Sequence, residues 1–293
     1  SRDSLHTLRT VGLEECGASK LIFEESAASS SRLYYLHETK MEKTTMTTLE
    51  ELHVSDQVDQ EQYSLTKILG IWAIVSLPMP VLAFVVAPAL SARVDLHGAI
   101  VFWILMIIGM FWQFIVSLTI VYRELGTLRW SAVRERTWLN KPRDPNTGEP
   151  KLSLFWWLVP AFLYAGFIIM VLGGFLESAM ARLFPSLTEL PVFALDDLMT
   201  MPDFIGAWWL VGLALVSISL NYFLGEEFLF RGVLLPKMQG AFGKWDWVAN
   251  AILFGAYHLH KPLAIPAIIL SSLAYTWPSR RFRSNWYAII LHG

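Results

Sequence analysis

From residue 65 to the end of the chain, long uncharged stretches alternate with short segments that hold most of the charged residues. About 20 apolar residues are needed for a helix to cross a bilayer, and four of the stretches have about that length. The apolar runs are Ile68–Leu90, Gly98–Tyr122, Leu154–Leu176, Ile205–Leu224 (continuing without a helix breaker to Leu235), Trp247–His258, Leu263–Trp277 and Trp286–Leu291. The pattern predicts an all-α polytopic membrane protein with about seven transmembrane helices, the last cut off by the chain end.

The composition excludes several other classes of protein. Hydrophobic residues make up 54% of the 293 residues and charged residues 16%, and the mean hydropathy is +0.44. A soluble domain carries about 25% charged residues, so we expect the lipid bilayer to be a partner of this chain. The net charge of −2 argues against nucleic-acid binding. The single cysteine, Cys16, excludes a disulfide framework, a zinc ribbon and an iron–sulfur cluster.

Residues 1–64 differ from the rest of the chain. They hold 12 acidic and 6 basic residues, and they predict a disordered acidic N-terminal tail. An alternative is that residues 1–40 are non-native sequence and that Met41 or Met46 is the start. Because the chain begins at Ser1 and ends inside an apolar run, we expect it to be a piece of a longer protein.

The basic residues of the loops predict an orientation in the membrane. Every second loop carries them, 12 in total against 3 in the intervening loops, and the loop 123–151 alone holds seven. Lys and Arg accumulate in cytoplasmic loops. We therefore expect a multi-pass protein of the cell membrane with a cytoplasmic N-terminus. Residues 65–204 form its N-terminal transmembrane helices with the basic cytoplasmic loop 123–151, and residues 205–293 form its C-terminal core.

Three ionisable side chains interrupt the fourth apolar run. Glu226, Glu227 and Arg231 stand in a segment that is otherwise apolar. Each such group at the bilayer centre costs at least ~2.5–3.5 kcal/mol, so the three need compensating partners. Glu227 and Arg231 have the i, i+4 spacing of an ion pair on one helix face, and Glu226 lies on a different face. The purely structural interpretation is a salt-bridge cluster that only orients the helices.

Two histidines fall inside later apolar runs. Counted at 1.5 Å per residue from the ends of their runs, Glu226, His258 and His292 lie roughly 15, 18 and 12 Å deep from the same membrane face. The sequence thus predicts one polar site, buried among the C-terminal helices and open to the cytoplasm. His260 is interpreted as an interfacial residue, since Lys261-Pro262 indicates a helix end.

A Glu and a His that share a water can deprotonate it for attack on a carbonyl, and a second His can donate to the oxyanion. The same three side chains, Glu226, His258 and His292, could instead bind Zn²⁺ as a His₂Glu set. The His-Glu-x-x-His layout of soluble zinc proteases does not occur.

These motifs resemble the CPBP intramembrane proteases, the CAAX-protease and bacteriocin-processing (ABI-type) family. Glu226-Glu227-x-x-x-Arg231, Phe254-x-x-x-His258 and then His292 match the family's ordered set over about residues 225–293. The resemblance implies that Glu226 and His258 activate water and that Glu227 and Arg231 support the site. It implies that His292 forms the oxyanion site with an Asn or Asp four residues later, at position 296, which lies beyond the last residue given, Gly293. It points to a metal-free glutamate mechanism, although the family is classified with metalloproteases.

The leading hypothesis is therefore an intramembrane endopeptidase of the CAAX type II kind. It would hydrolyse a peptide bond of a protein or peptide substrate near the cytoplasmic membrane face. The alternative is a non-proteolytic membrane protein, such as a bacteriocin-immunity or adaptor protein, whose polar cluster is structural. A proton-relaying transporter is a third option, weakened because the apolar runs show no inverted repeat.

Overall fold

A computed structural model describes residues 61–191, 198, 201 and 204–293. These residues are mostly helical, and the isolated bridge between Arg143 and Pro150 is the one strand-like pairing among them. The principal helices are α1 (Leu65–Ser91), α2 (Gly98–Leu125), α3 (Trp130–Arg136), α4 (Leu152–Leu183), α5 (Trp208–Lys237), α6 (Asp246–Tyr257), α7 (Ile265–Arg281) and α8 (Trp286–His292). The prediction of a disordered tail covers residues 1–64, and residues 1–60 of it lie outside the described residues.

Four helices, α1, α2, α4 and α5, are long and apolar enough to cross a membrane, and all four match predicted apolar runs. The helices α6, α7 and α8 also begin within two residues of predicted runs, but they are shorter, at 12, 17 and 7 residues. The helical fold is thus confirmed, with four helices that could span a membrane by their length and composition. The count of seven spans and the cytoplasmic N-terminus stay predictions.

Local sequence signals explain where the first two long helices begin and end. The Ser64 hydroxyl accepts from the backbone N–H of Lys67 and caps α1. At the start of α2, the His97 ring accepts from the N–H of Ala99. Gly126 ends this helix in the left-handed conformation, at φ 66°.

The long helices are not uniformly α-helical. Wider π-helical turns occur within α1 (Leu82–Val86), within α4 (Ile168–Leu172) and twice within α5 (Leu220–Leu224 and Phe228–Leu234). A π-turn inserts one residue into a helix and is frequently found at functional sites. The two in α5 flank Gly225-Glu226-Glu227.

The core lies where the second half of α5 meets its neighbours. Leu229, Phe230 and Leu234 of α5 pack with Phe254 and Tyr257 of α6, together with residues of α1, α2, α7 and α8. The α6 and α7 helices approach closely, since a Cβ on Gly255 would lie 2.2 Å from the side chain of Ile269. The core is thus built from the second half of α5 and from α6, with contributions from α1, α2, α7 and α8.

Candidate active site

Gly225 places the polar segment of α5 against α2. A Cβ on this residue would lie 2.5 Å from the carbonyl oxygen of Leu220 and 3.2 Å from that of Met110. Both are backbone atoms, which cannot move aside as a flexible side chain can. Glycine at position 225 therefore allows the close approach that buries Glu226 and Glu227 in the protein.

Glu227 and Arg231 form the ion pair that their spacing predicts. Arg231 Nη1 donates to Glu227 Oε1 at 3.3 Å, and both side chains are fully buried. Thr276 Oγ1 on α7 lies 3.1 Å from Arg231 Nη2. The guanidinium also stacks on the rings of Phe254 and Tyr275, with its carbon 4.0 and 4.7 Å from their centroids. The charge that would be costly alone is thus paired and surrounded by aromatic faces.

His292 of α8 lies between the two carboxylates. Its Nδ1 is 2.7 Å from Glu227 Oε1, and its Nε2 is 3.9 Å from Glu226 Oε2. The ring lies parallel to that of Tyr275, with an interplanar angle of 5°. Each nitrogen of this imidazole therefore faces a different glutamate, and Glu227 contacts both His292 and Arg231.

Glu226 has two further partners. Tyr257 Oη donates to Glu226 Oε1 at 3.1 Å. Asn221, with its amide oriented to donate, lies 2.9 Å from Glu226 Oε2 and 3.2 Å from Oε1. Sequence reasoning missed both residues. Tyr257 adjoins His258 and could have been noticed, but Asn221 is five residues from Glu226, a spacing that joins side chains only across a π-turn.

His258 stands at the end of α6, not within it. Its Nδ1 is 2.9 Å from the carbonyl oxygen of Phe254, an atom that can only accept. A neutral ring held this way has its proton on Nδ1 and its lone pair on Nε2. Phe254, the first residue of the Phe-x-x-x-His motif, thus orients the histidine through its backbone.

His260 lies closer to the site than its interpretation as an interfacial residue suggested. The helix ends at Tyr257, and the turn that follows brings the rings of His258 and His260 together, with centroids 5.4 Å apart and an interplanar angle of 30°. His260 lines the same cavity as His258. The helix end that Lys261-Pro262 indicated is found at Tyr257, and the interfacial position of His260 stays a prediction.

These side chains share one cavity of about 610 Å³. Glu226, His258 and His292, from three different helices, all line it. Much of the remaining wall is apolar and comes from the first two long helices, through residues such as Met79, Phe102, Met106 and Met110. The cavity can therefore hold an apolar ligand next to Glu226, His258 and His292.

Glu227 and Arg231 do not line this cavity and instead support residues that do. Asn285, one residue before α8, donates from Nδ2 to the backbone carbonyl of Glu227 at 3.0 Å. The backbone N–H of Asn285 donates to the carbonyl of Trp138 at 2.7 Å. The start of α8 is thereby fixed to both α5 and the loop after α3, and this position determines where His292 lies.

Zinc binding by Glu226, His258 and His292 is the alternative that the sequence leaves open. Over residues 61–191, 198, 201 and 204–293, no group of three or more His, Cys, Asp or Glu side chains has an arrangement that could hold one. Nδ1 of His292 lies on Glu227 and Nδ1 of His258 on the carbonyl of Phe254, which leaves the second nitrogen of each ring for another partner. The alternative of a zinc ion held by Glu226, His258 and His292 stays a prediction.

Residues 206–293 match a family model described as Rce1-like, the type II CAAX prenyl endopeptidase Rce1-like family. The match confirms the resemblance to the CAAX-protease family over the segment that carries the motifs. It supports an intramembrane peptidase, and with the four apolar helices it supports a multi-pass membrane protein. It gives no support for the metalloprotease class. No curated protein and no solved structure gives a significant match.

Proposed function

We propose that this protein is an intramembrane endopeptidase that hydrolyses a peptide bond with a water activated by Glu226 and His258. The observation that carries the proposal is the shared cavity, in which Glu226, His258 and His292 come together from α5, α6 and α8. The family match of residues 206–293 supports the class of reaction.

In the proposed reaction, a water held between Glu226 and the free Nε2 of His258 loses a proton as it attacks the scissile carbonyl. Tyr257 and Asn221 hold the carboxylate of Glu226 in position. A doubly protonated His292 donates its Nδ1–H to Glu227, and its Nε2–H, which lies 3.9 Å from Glu226 Oε2 and so beyond hydrogen-bond distance, donates to the oxyanion that forms on the carbonyl oxygen. The proton taken from water passes to the leaving amine, so that two peptide ends result.

The substrate is proposed to reach this site with an apolar portion in the cavity, beside the methionine- and phenylalanine-rich wall. The matched family model is named for a CAAX prenyl endopeptidase, so a farnesylated CAAX peptide is the first probe. Cleavage near the cytoplasmic face follows from the predicted loop orientation and belongs to the proposal.

The test compares wild-type protein with Glu226→Gln, purified in detergent and given the farnesylated CAAX peptide. Removing a general base lowers a rate about 10²–10⁴-fold, and we expect a loss in that range. The matched control is Glu189→Gln, the same chemical change at an exposed carboxylate outside the cavity. In parallel, mass spectrometry compares new peptide ends in membranes of cells that express each variant.

Equal cleavage by wild type and Glu226→Gln would overturn the proposed mechanism. If wild type creates no new peptide ends in either arm, the peptidase proposal fails. Loss of folding in Glu226→Gln without any wild-type cleavage would favour the alternative, a non-proteolytic membrane protein with a structural polar cluster.

A further inference from the structure

Near the end of α5, the pairing of the backbone carbonyls departs from that of a regular α-helix. Proline has no backbone N–H, so Pro236 cannot donate to the carbonyl of Gly232, four residues earlier. The helix also narrows there from a π-turn to the 3₁₀ turn Leu235–Lys237, which changes the pairing of the preceding carbonyls. A buried carbonyl without a donor costs about 1–3 kcal/mol.

Arg136, the last residue of α3, supplies the donors. Its Nη1 donates to the carbonyl of Gly232 at 3.1 Å, and its Nη2 donates to that of Val233 at 3.2 Å. The side chain is only 3% exposed, in contrast to Arg134 on the exposed side of the same helix. Arg136 is therefore a buried residue that binds backbone carbonyls. The basic residues of the loop 123–151 had been interpreted together only as a signal of membrane orientation.

Two residues outside α3 hold this guanidinium: Glu124 of α2 and Tyr63, which precedes α1. Arg136 Nε donates to Glu124 Oε2 at 2.8 Å, and Nη2 also donates to Tyr63 Oη at 3.0 Å. The Tyr63 hydroxyl in turn donates to Glu124. Burial raises the pKa of the Tyr63 phenol, so its proton remains available for this bond. Tyr63 is itself fixed to the end of α5, since its backbone N–H donates to the carbonyl of Lys237 at 2.9 Å.

We infer that Arg136 is a positioning residue for the proposed reaction, because it fixes the end of the π-helical stretch that follows Glu226 and Glu227. This inference rests on the proposed function. A π-turn holds one residue more than an α-turn, and its conversion to α-helix would rotate the neighbouring carboxylates by about 100° relative to residues beyond the turn. The capped carbonyls of Gly232 and Val233 oppose that conversion from the far end of the stretch.

The decisive variant is Arg136→Lys, and its matched control is Arg134→Lys. Lysine keeps the charge, but an ammonium cannot reproduce the planar set of donors that reaches two carbonyls, Glu124 and Tyr63 at once. A misplacement of about 1 Å can cost 10²-fold in rate, so we expect kcat for the farnesylated CAAX peptide to fall about 10–100-fold. We expect KM to stay within about twofold, because the apolar cavity wall is unchanged.

Hydrogen exchange of backbone amides, measured by mass spectrometry, provides a second readout that needs no substrate. We expect Arg136→Lys to speed exchange within residues 226–235 and to leave α4 unchanged, whereas Arg134→Lys should change neither. If Arg136→Lys does not fold, Tyr63→Phe removes one partner of the guanidinium only. A smaller fall in kcat, about threefold, is expected for that variant.

An unchanged kcat in Arg136→Lys, or unchanged exchange in residues 226–235, would overturn the inference. If the fall in activity of Arg136→Lys equals the fall in its fraction of folded protein, the inference is also overturned, because a purely structural role has that effect. If the wild type cleaves nothing, the proposed function fails, and the exchange experiment alone then decides whether Arg136 holds this segment.

Discussion

The helix α4 exposes large apolar side chains, whereas the second half of α5 buries charged ones. On α4 the large apolar side chains are exposed, with Leu163 72%, Met170 88% and Phe175 70% accessible. In α5 every residue from Gly225 to Lys237 is buried, including two glutamates, an arginine and a lysine.

The difference follows from the solvent. Lipid tails are as apolar as leucine, so the side chains of α4 need no protein partners inside a bilayer. Ionisable groups do need them, because the hydrocarbon offers neither hydrogen bonds nor counter-charges. In this protein the buried interior is thus where the polar chemistry lies, and the predictions below test the two regions in order of expected effect.

The largest effect is expected at Arg231. Arg231→Leu removes the guanidinium from the buried Glu227 and leaves His292 as its partner, and breaking such a buried ion pair costs about 3–5 kcal/mol in the free energy of unfolding. Chemical unfolding in detergent measures the loss. The double variant Glu227→Gln with Arg231→Leu removes the stranded charge and should recover part of the stability. Wild-type stability in the single variant would show that this pair is not needed.

A smaller loss is expected from Gly225→Ala. The new methyl group meets backbone oxygens of Leu220 and Met110, and such overpacking costs about 1–3 kcal/mol. Gly212→Ala on the same helix is the control, because a Cβ there has open space, and glycine in a helix is about 0.5–1 kcal/mol less stable than alanine. The two variants should therefore shift the melting temperature in opposite directions, and equal shifts would contradict the close approach of α5 and α2.

The third effect is on activity more than on stability. Asn221→Ala removes an amide that donates to Glu226, and a hydrogen bond to a charged group contributes about 1.5–3 kcal/mol. We expect cleavage of the farnesylated probe to fall at least about tenfold. Asn146→Ala, in the exposed loop after α3, is the control. Unchanged cleavage would remove Asn221 from the site.

The smallest effect is expected on the lipid-facing side. Met170→Leu replaces one apolar side chain by another at an 88% exposed position, and we expect a change within about 0.5 kcal/mol. Thermal unfolding in detergent measures it. A loss above 1 kcal/mol would mean that this face of α4 has a protein partner.

The helices were predictable because bilayer crossing imposes a simple rule on length and polarity. That rule predicted the long helices α1, α2, α4 and α5 closely. The Glu227–Arg231 pair was predictable from its i, i+4 spacing within a helix. Depth counting from the run ends also led to Glu226, His258 and His292 as candidates for a single site, and these three residues line one cavity. Their catalytic roles stay a prediction.

What could not be predicted depends on departures from regular helix. Asn221 reaches Glu226 through a π-turn, and His260 reaches His258 through the turn after α6. Arg136 acts across 96 residues of sequence, on carbonyls that carry no side-chain signal. Such contacts arise from tertiary packing, and the periodicity of a single sequence does not report them.

The i, i+4 spacing of Glu227 and Arg231 has a consequence for how the chain is made. Their partner His292 lies 65 residues beyond Glu227, so it is synthesised well after α5. The Glu–Arg pair is complete within one helix, and α5 can therefore enter the bilayer as a nearly neutral unit before α8 exists. The later synthesis of α8 then adds His292 to a carboxylate that is already in place, so the site is completed only after α5 has entered the bilayer.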